Sequence, residues 1–191
     1  METPDTVARA ASARHAYERA HVVAGARGIA IAVAVYACAA ALHEVDAAAQ
    51  LAAGALAVTL AVLGWRGGAW RRGSLAGVLA GVPPLIAPSV VFVLAHGGHV
   101  APCPACDGAP TLACLLTCFG TSAVVGLLVG HRASQDRAPR RFAIAALAAA
   151  ALTGTLACAT TGLGGALGIA IGLVAGGATG WVFADAGRSR A

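Results

Sequence analysis

The sequence predicts an all-α, polytopic membrane protein: a bundle of six transmembrane helices with both termini in the cytoplasm. Its 191 residues are 59% hydrophobic and only 11% charged, whereas a soluble domain usually carries about 25% charged residues. A water-soluble fold of this size has too little interior to bury so much apolar surface. The chain also divides into six apolar runs, each near the roughly 20 residues that cross a bilayer as a helix. A bilayer is therefore the expected solvent.

The six runs define the expected domain boundaries. Residues 1–23 are a cytoplasmic N-terminal arm, 24–186 are the transmembrane domain and 187–191 are a cytoplasmic tail. The spans themselves are expected at 24–43, 48–65, 75–96, 111–130, 142–160 and 163–184.

The distribution of arginines predicts which ends of the spans face the cytoplasm. All 13 basic residues are arginine, and they lie before span one or in its first turn (Arg27), between spans two and three, between spans four and five, and after span six. The other three connections contain no arginine or lysine. Basic connections stay on the cytoplasmic side of a membrane, so both termini are expected there. Such short basic segments contact the anionic headgroups of the lipid bilayer, and we expect no direct binding of nucleic acid.

The N-terminal arm is expected to form a helix, with Asp5 or Thr6 as its cap. Two interpretations stay open: a solvated extension of span one, or a segment that docks on a cytoplasmic partner and orders on binding. For the second interpretation, the candidate contact residues are Arg9, Arg14, Tyr17 and Arg19.

Span three contains Pro83, Pro84 and Pro88. Each proline removes a backbone donor and clashes with the preceding turn, so a kink or a break is expected near the middle of the membrane. Broken helices form transport sites in some membrane proteins. Those sites usually contain intramembrane charges, which the middle of this span lacks, so a kinked structural helix is favoured.

Span six carries a glycine at every fourth position, which predicts a groove on one helix face that another helix can approach closely. These glycines are Gly164, Gly168, Gly172, Gly176 and Gly180. Spans three and four repeat the pattern on a smaller scale, at Gly77 and Gly81 and at Gly126 and Gly130. Packing within the bundle is the favoured interpretation, and the seam of a homodimer is the alternative.

The predicted topology places all six cysteines in the external half of the protein. Cys103 and Cys106 belong to the external loop before span four, and Cys114 and Cys118 to the first turns of that span. The last two, Cys38 and Cys158, belong to the outer parts of spans one and five. Cys114 and Cys118 are four residues apart and share a helix face.

Three interpretations of these cysteines stay open. In the first, Cys103 and Cys106 form a reversible disulfide in an oxidising exterior, and Cys114 or Cys118 pairs with the loop or with Cys158. In the second, a soft metal ion of the Zn, Cu, Cd or Hg class is bound, by ligands drawn from Cys103, Cys106, Cys114, Cys118 and His99. In the third, the cysteines are small buried residues. No other cofactor is expected.

Catalytic arrangements of other kinds are missing from the sequence. No span offers a serine–histidine pair, paired carboxylates or a zinc-protease motif. We therefore expect a protein that is not an enzyme, with thiol redox activity as the open exception.

The second half of the chain resembles the NrsF-type membrane anti-sigma factors of bacteria. The residues that carry the resemblance are Cys114 in CLLTC, Cys158 in TLACATT and the intervening HRASQDRAPRR, within about 111–185. The six helices and the short basic arm are also similar. The resemblance implies a protein of the bacterial inner membrane that holds an extracytoplasmic-function sigma factor through its arm and cytoplasmic loops. It further implies that a soft metal or an oxidant acts on Cys114 and Cys158 and releases the sigma factor.

Two alternatives come from a different class of protein. A membrane thiol–disulfide oxidoreductase would use Cys103 and Cys106 as its reactive pair. A soft-metal binding or transport protein would pass a cation inward, but it would need cysteines near the cytoplasmic side, where the sequence has none. This distribution favours sensing over transport.

Overall fold

The computed structural model describes residues 4–42, 46–95, 112–158 and 163–188, which form six α-helices. They are α1 (Pro4–Leu42), α2 (Ala47–Arg66), α3 (Gly68–Ala95), α4 (Leu112–Ser134), α5 (Pro139–Cys158) and α6 (Leu163–Arg188). The expectation of an all-helical chain with six helices is confirmed.

Four of these helices contain stretches long and apolar enough to cross a membrane. Within the described residues the stretches are Ser12–Leu42, Ala47–Arg66, Leu115–Ser134 and Gly165–Gly187. They belong to α1, α2, α4 and α6. By length and composition, they indicate a membrane protein.

The arm and span one form a single helix, α1, which begins at Pro4. Proline is well tolerated at a helix start, because the amide hydrogen that it lacks would have no partner there. The next helix, α2, begins after Asp46, whose carboxylate accepts the Ala49 amide hydrogen at 2.8 Å. This carboxylate satisfies one of the amides that every helix leaves unpaired at its first turn.

A glycine pair makes the turn between α2 and α3. Gly67 and Gly68 have φ of 66° and 54°, a left-handed conformation that costs little only for glycine. The Gly67 amide donates to the carbonyls of Leu63 and Gly64, each at 3.2 Å. Because the turn is this short, α3 begins at Gly68 rather than at the expected residue 75.

Prolines do not interrupt α3. The helix runs continuously from Gly68 to Ala95, through Pro83 and Pro84. The alternative of a break in this span is therefore wrong. Pro84 and Leu85 are fully buried, so this part of α3 packs against neighbouring helices, whereas Pro83 is exposed.

Small residues join the helices in three close pairs. In the pair α1–α2, a Cβ added at Gly28 would stand 2.7 Å from the Leu60 carbonyl oxygen. In the pair α3–α5, a Cβ at Gly77 would overlap the carbonyl of Ala146. In the pair α4–α6, a Cβ at Gly172 would stand 2.7 Å from the Phe119 carbonyl oxygen. Each pair depends on a missing side chain for its close approach.

Helix α5 occupies the centre of the bundle and contacts each of the other helices. Its buried face consists largely of alanine, and the fully buried members are Ala145, Ala146, Ala149 and Ala150. Short side chains on this buried face allow several neighbours to pack against it at once. The core of the protein therefore forms around this alanine-rich helix.

The arginine-bearing helix ends lie at one end of the bundle. His21 of α1 contacts Trp65 at the end of α2, and Arg72 near the start of α3 pairs with Asp136 between α4 and α5. The last helix, α6, runs parallel to α4, because Gly172 contacts Phe119 and Gly180 contacts Leu127. We call this end, formed by the segments 66–72 and 132–141, the basic end.

Candidate functional site

Two of the predicted sensing cysteines occupy helix ends opposite the basic end. Cys114 lies in the first turn of α4, and Cys158 is the last residue of α5. The short connection 135–138 joins the other ends of these two helices. Because α4 and α5 are therefore antiparallel neighbours, the backbone positions of both cysteines fall at the same end of the bundle. Their side chains lie outside the described residues.

Cys118 has a different environment from a loop thiol. Its side chain is 1% exposed and lies in a core cluster with Ile169 and Leu173 of α6 and Ala150 of α5. Of the interpretations left open for Cys118, the small buried residue agrees best with this position. Cys38 on α1 is exposed.

The proposed metal ligands are only partly described. Cys103, Cys106 and His99 lie outside the described residues. Among the residues that the structure does describe, no group of three or more histidines, cysteines or carboxylates is close enough to hold a metal ion.

The glycine groove of α6 faces α4 along part of its length. A Cβ at Gly176 would overlap the Ala123 carbonyl, and one at Gly180 would overlap that of Leu127. Gly172 makes the similar contact with Phe119 given above. Gly168 is buried, but an added Cβ would have no atom within 4 Å. The surroundings of Gly164 lie outside the described part of the helix.

Two buried hydroxyl groups lie inside the bundle without a hydrogen-bond partner. They are Ser122 Oγ on α4 and Thr153 Oγ1 on α5, and both residues are 0% exposed. Hydroxyls in apolar helices usually donate to a carbonyl of the preceding turn, as Thr121 does to Thr117 at 2.7 Å. An unpaired buried hydroxyl costs about 1–3 kcal/mol. These two side chains were not singled out from the sequence, because only their tertiary surroundings make them unusual.

The arm is attached to the bundle through His21. Its Nδ1–H donates to the carbonyl of Trp65, in the last turn of α2, where helix carbonyls have no partner within the helix. The ring of Tyr17 lies 4.2 Å from that of His21, centroid to centroid. Among the predicted partner-binding residues, Arg14 pairs with Glu18 at 3.1 Å and Arg19 is exposed. Arg9 lies on the same helix, with a side chain outside the described set.

An ion pair joins the two segments of the basic end. Arg72 Nη2 lies 2.9 Å from Asp136 Oδ2 and 3.1 Å from Oδ1. The Ala138 amide also donates to Asp136 Oδ1 at 2.9 Å. This backbone hydrogen bond, followed by the Arg72 guanidinium, lowers the pKa of Asp136 below its ordinary value of 3.8 although burial opposes the shift. The carboxylate therefore stays ionised near neutral pH.

The fold and these ends define a class: an all-helical bundle with membrane-spanning character, cysteines at one end and arginines at the other. No protein-family model matches the chain, no curated protein matches it as a relative, and no solved structure matches its fold. The candidate site residues are therefore inferred from the sequence and from the geometry of the bundle.

Proposed function

We propose that the chain is a six-span protein of the bacterial inner membrane that acts as an anti-sigma factor. In this proposal the basic end and both termini face the cytoplasm, as the distribution of arginines favours. The protein holds an extracytoplasmic-function sigma factor there through the exposed face of its arm. A reaction of cysteine thiols on the outer side of the membrane then controls release of the sigma factor.

The observation that carries this proposal is the separation of the cysteine positions from the cytoplasmic arm along one helical bundle. The cysteine positions Cys114 and Cys158 lie at one end of α4 and α5, whereas the arm begins at the other end. The arm is continuous with α1 and is attached to α2 by His21. A displacement of helices at the thiol end is therefore transmitted to the arm through close-packed helices rather than through flexible links.

The signal acts by bridging Cys114 and Cys158. A soft metal ion replaces the two thiol protons and binds both sulfurs. Hydrogen peroxide instead oxidises the two thiols to a disulfide and is reduced to two waters. Either bridge shifts the equilibrium only if it forms preferentially in the bundle arrangement that releases the partner.

The experiment uses the tagged full-length protein in its native membrane. The sigma factor is expected to co-purify with the protein and to be lost after treatment with cadmium or peroxide. Cys114→Ser and Cys158→Ser should retain the partner after treatment, whereas Cys38→Ser should release it like the wild type. Absence of any sigma factor from the purified complex, or equal release from all four proteins, would contradict the proposal.

A thiol–disulfide oxidoreductase is the second candidate, and the Cys103-Pro-Ala-Cys106 motif favours it. In that case Cys103→Ser, rather than Cys114→Ser, should abolish oxidation of a reduced substrate protein added outside the membrane. The soft-metal binding or transport protein is tested by metal uptake into cells, which should then require Cys103 and Cys106.

A further inference from the structure

A cavity opens at the basic end, between the third turn of α3, the last turn of α4 and the first turn of α5. Its volume is about 400 Å³, and its lining residues are Ala76, Arg132, Gln135, Asp136 and Phe142. The apolar stretch Leu115–Ser134 ends at this level. In a membrane, the cavity therefore lies where the apolar part of the bundle meets the headgroups.

The charge around the cavity is positive. Asp136, the acidic residue among the described residues that line the cavity, is already neutralised by the two-pronged contact with Arg72. Arg132 lines the cavity, and no ion pair engages it among the residues that the structure describes. The neighbouring arginines of the same connection and of the first turn of α5 are exposed, namely Arg137, Arg140 and Arg141.

The walls of the cavity are both polar and apolar. Gln135 contributes an amide, oriented by a hydrogen bond of 3.0 Å between its Nε2 and His131 Nε2. Phe142 and Ala76 contribute the apolar wall. From Ala76, the next turn of α3 carries Leu79, which is 74% exposed. An exposed apolar side chain therefore follows the cavity on the outer surface of α3.

We propose that this cavity binds the phosphate headgroup of an anionic phospholipid, with Arg132 on the phosphate and the acyl chains along α3. A guanidinium forms strong, charge-assisted hydrogen bonds to phosphate oxygens. Basic pockets between helices at the cytoplasmic surface are suited to such headgroups. A free phosphate ion would use Arg132 but not the apolar wall, which is why a lipid fits better. The proposal rests on membrane insertion with this end at the headgroups and not on binding of a sigma factor.

The test uses the full-length protein in a neutral detergent. Short-chain phosphatidylglycerol, short-chain phosphatidylcholine and inorganic phosphate are titrated separately, and the midpoint of thermal unfolding gives apparent affinities. The apparent affinity of the wild type for phosphatidylglycerol should be at least about tenfold higher than its affinity for phosphatidylcholine or inorganic phosphate, as expected for a charge-assisted contact.

Three variants decide whether the cavity is the site. Arg132→Gln should lower the apparent affinity for phosphatidylglycerol about tenfold, because the guanidinium that contacts the phosphate is lost. Gln135→Glu, at an exposed position, should lower the apparent affinity for phosphatidylglycerol at least as much by placing a negative charge beside the phosphate. Arg19→Gln removes the same charge from the arm and should retain the wild-type response.

Four results would overturn the proposal. One is an equal response to phosphatidylcholine, and another is an equal response to inorganic phosphate, which would make the cavity an ion site. A third is equal weakening by Arg19→Gln, which would mean unspecific attraction. The fourth is displacement of phosphatidylglycerol by a glutamate-rich peptide of equal or higher affinity, which would make the cavity a protein-binding site.

Discussion

Arg72 and Asp136 connect two turns that are far apart in the sequence, with the guanidinium 2.9 Å from one carboxylate oxygen and 3.1 Å from the other. The Asp136 side chain is 12% exposed and that of Arg72 is 56% exposed. This contact holds the start of α3 against the turn between α4 and α5. Because Arg72 neutralises Asp136, the positive charge of Arg132 in the adjoining cavity is not balanced by that carboxylate.

Replacing Asp136 tests how much this contact contributes to stability. Asp136→Asn is expected to lower the free energy of unfolding at pH 7 by about 0.5–1 kcal/mol, as for a partly exposed ion pair. Unfolding of the purified protein in detergent measures the change. The exposed pair Arg14–Glu18 supplies the control, because its side chains are 82% and 55% exposed. Glu18→Gln should change nothing measurable.

The lowered pKa of Asp136 predicts that the stability of the protein depends on pH. The pKa of Asp136 is lower in the folded than in the unfolded protein, so its contribution is present above the ordinary value of 3.8. The contribution is lost as the pH falls through the folded pKa. Between pH 6 and pH 3, the wild type should therefore lose more stability than Asp136→Asn. Parallel stability curves for the two proteins would exclude this role.

Two glycines of α6, two turns apart, provide a matched test of the α4–α6 contact. Gly176→Ala should destabilise the protein by about 1–3 kcal/mol, because the new methyl group meets the Ala123 backbone and neither helix can yield easily. Gly168→Ala has open space and should be neutral or stabilising by up to about 1 kcal/mol, the helix preference of alanine over glycine. Unfolding in increasing dodecyl sulfate measures both. Equal effects would mean that the glycine contact with α4 has no energetic consequence.

The unpaired hydroxyls of Ser122 and Thr153 are expected to reduce stability. Ser122→Ala and Thr153→Val should leave the free energy of unfolding unchanged or raise it by about 1 kcal/mol, because an unsatisfied polar group is removed. Ser74 is the matched control, since it is buried too but donates to the Arg71 carbonyl at 3.0 Å. Ser74→Ala should cost about 0.5–1.5 kcal/mol. A similar loss in all three variants would show that the first two hydroxyls have partners.

His21 should hold the arm against the end of α2. His21→Ala removes the donor to the Trp65 carbonyl and the ring that Tyr17 contacts. Amide hydrogens between residues 12 and 21 should then exchange several-fold faster. Local opening of this part of α1 costs less free energy when it does not have to break these contacts. His15→Ala is the control, because the His15 side chain is 85% exposed and lies 4.0 Å from Glu18 on the same helix. Unchanged exchange in His21→Ala would contradict the role.

Cys118 should be protected from thiol reagents in the folded protein. A variant that retains only this cysteine is expected to react with a maleimide in detergent only after unfolding, since the sulfur is buried in the core. Mass spectrometry before and after unfolding counts the label. Native labelling as fast as that of the unfolded protein would return Cys118 to the set of accessible sensing residues.

The chain order of apolar and basic segments was enough to predict six helices and the approximate middle of each. The reason is physical: an apolar segment of this length can satisfy its backbone hydrogen bonds in a bilayer only as a helix. Helix ends were less predictable. The glycine turn at Gly67 moved the start of α3 to Gly68, and the arm joined span one in a single helix.

Glycine spacing predicted which faces pack closely, but it did not predict which helix each face meets. That α6 pairs with α4, and α3 with α5, depends on shape complementarity between surfaces distant in sequence. The central place of α5 follows from its small side chains in combination with all their neighbours. In the same way, the Arg72–Asp136 pair, the cavity beside it and the unpaired Ser122 and Thr153 exist only once the helices are assembled. Local composition therefore specifies the helices, whereas their mutual packing creates the sites.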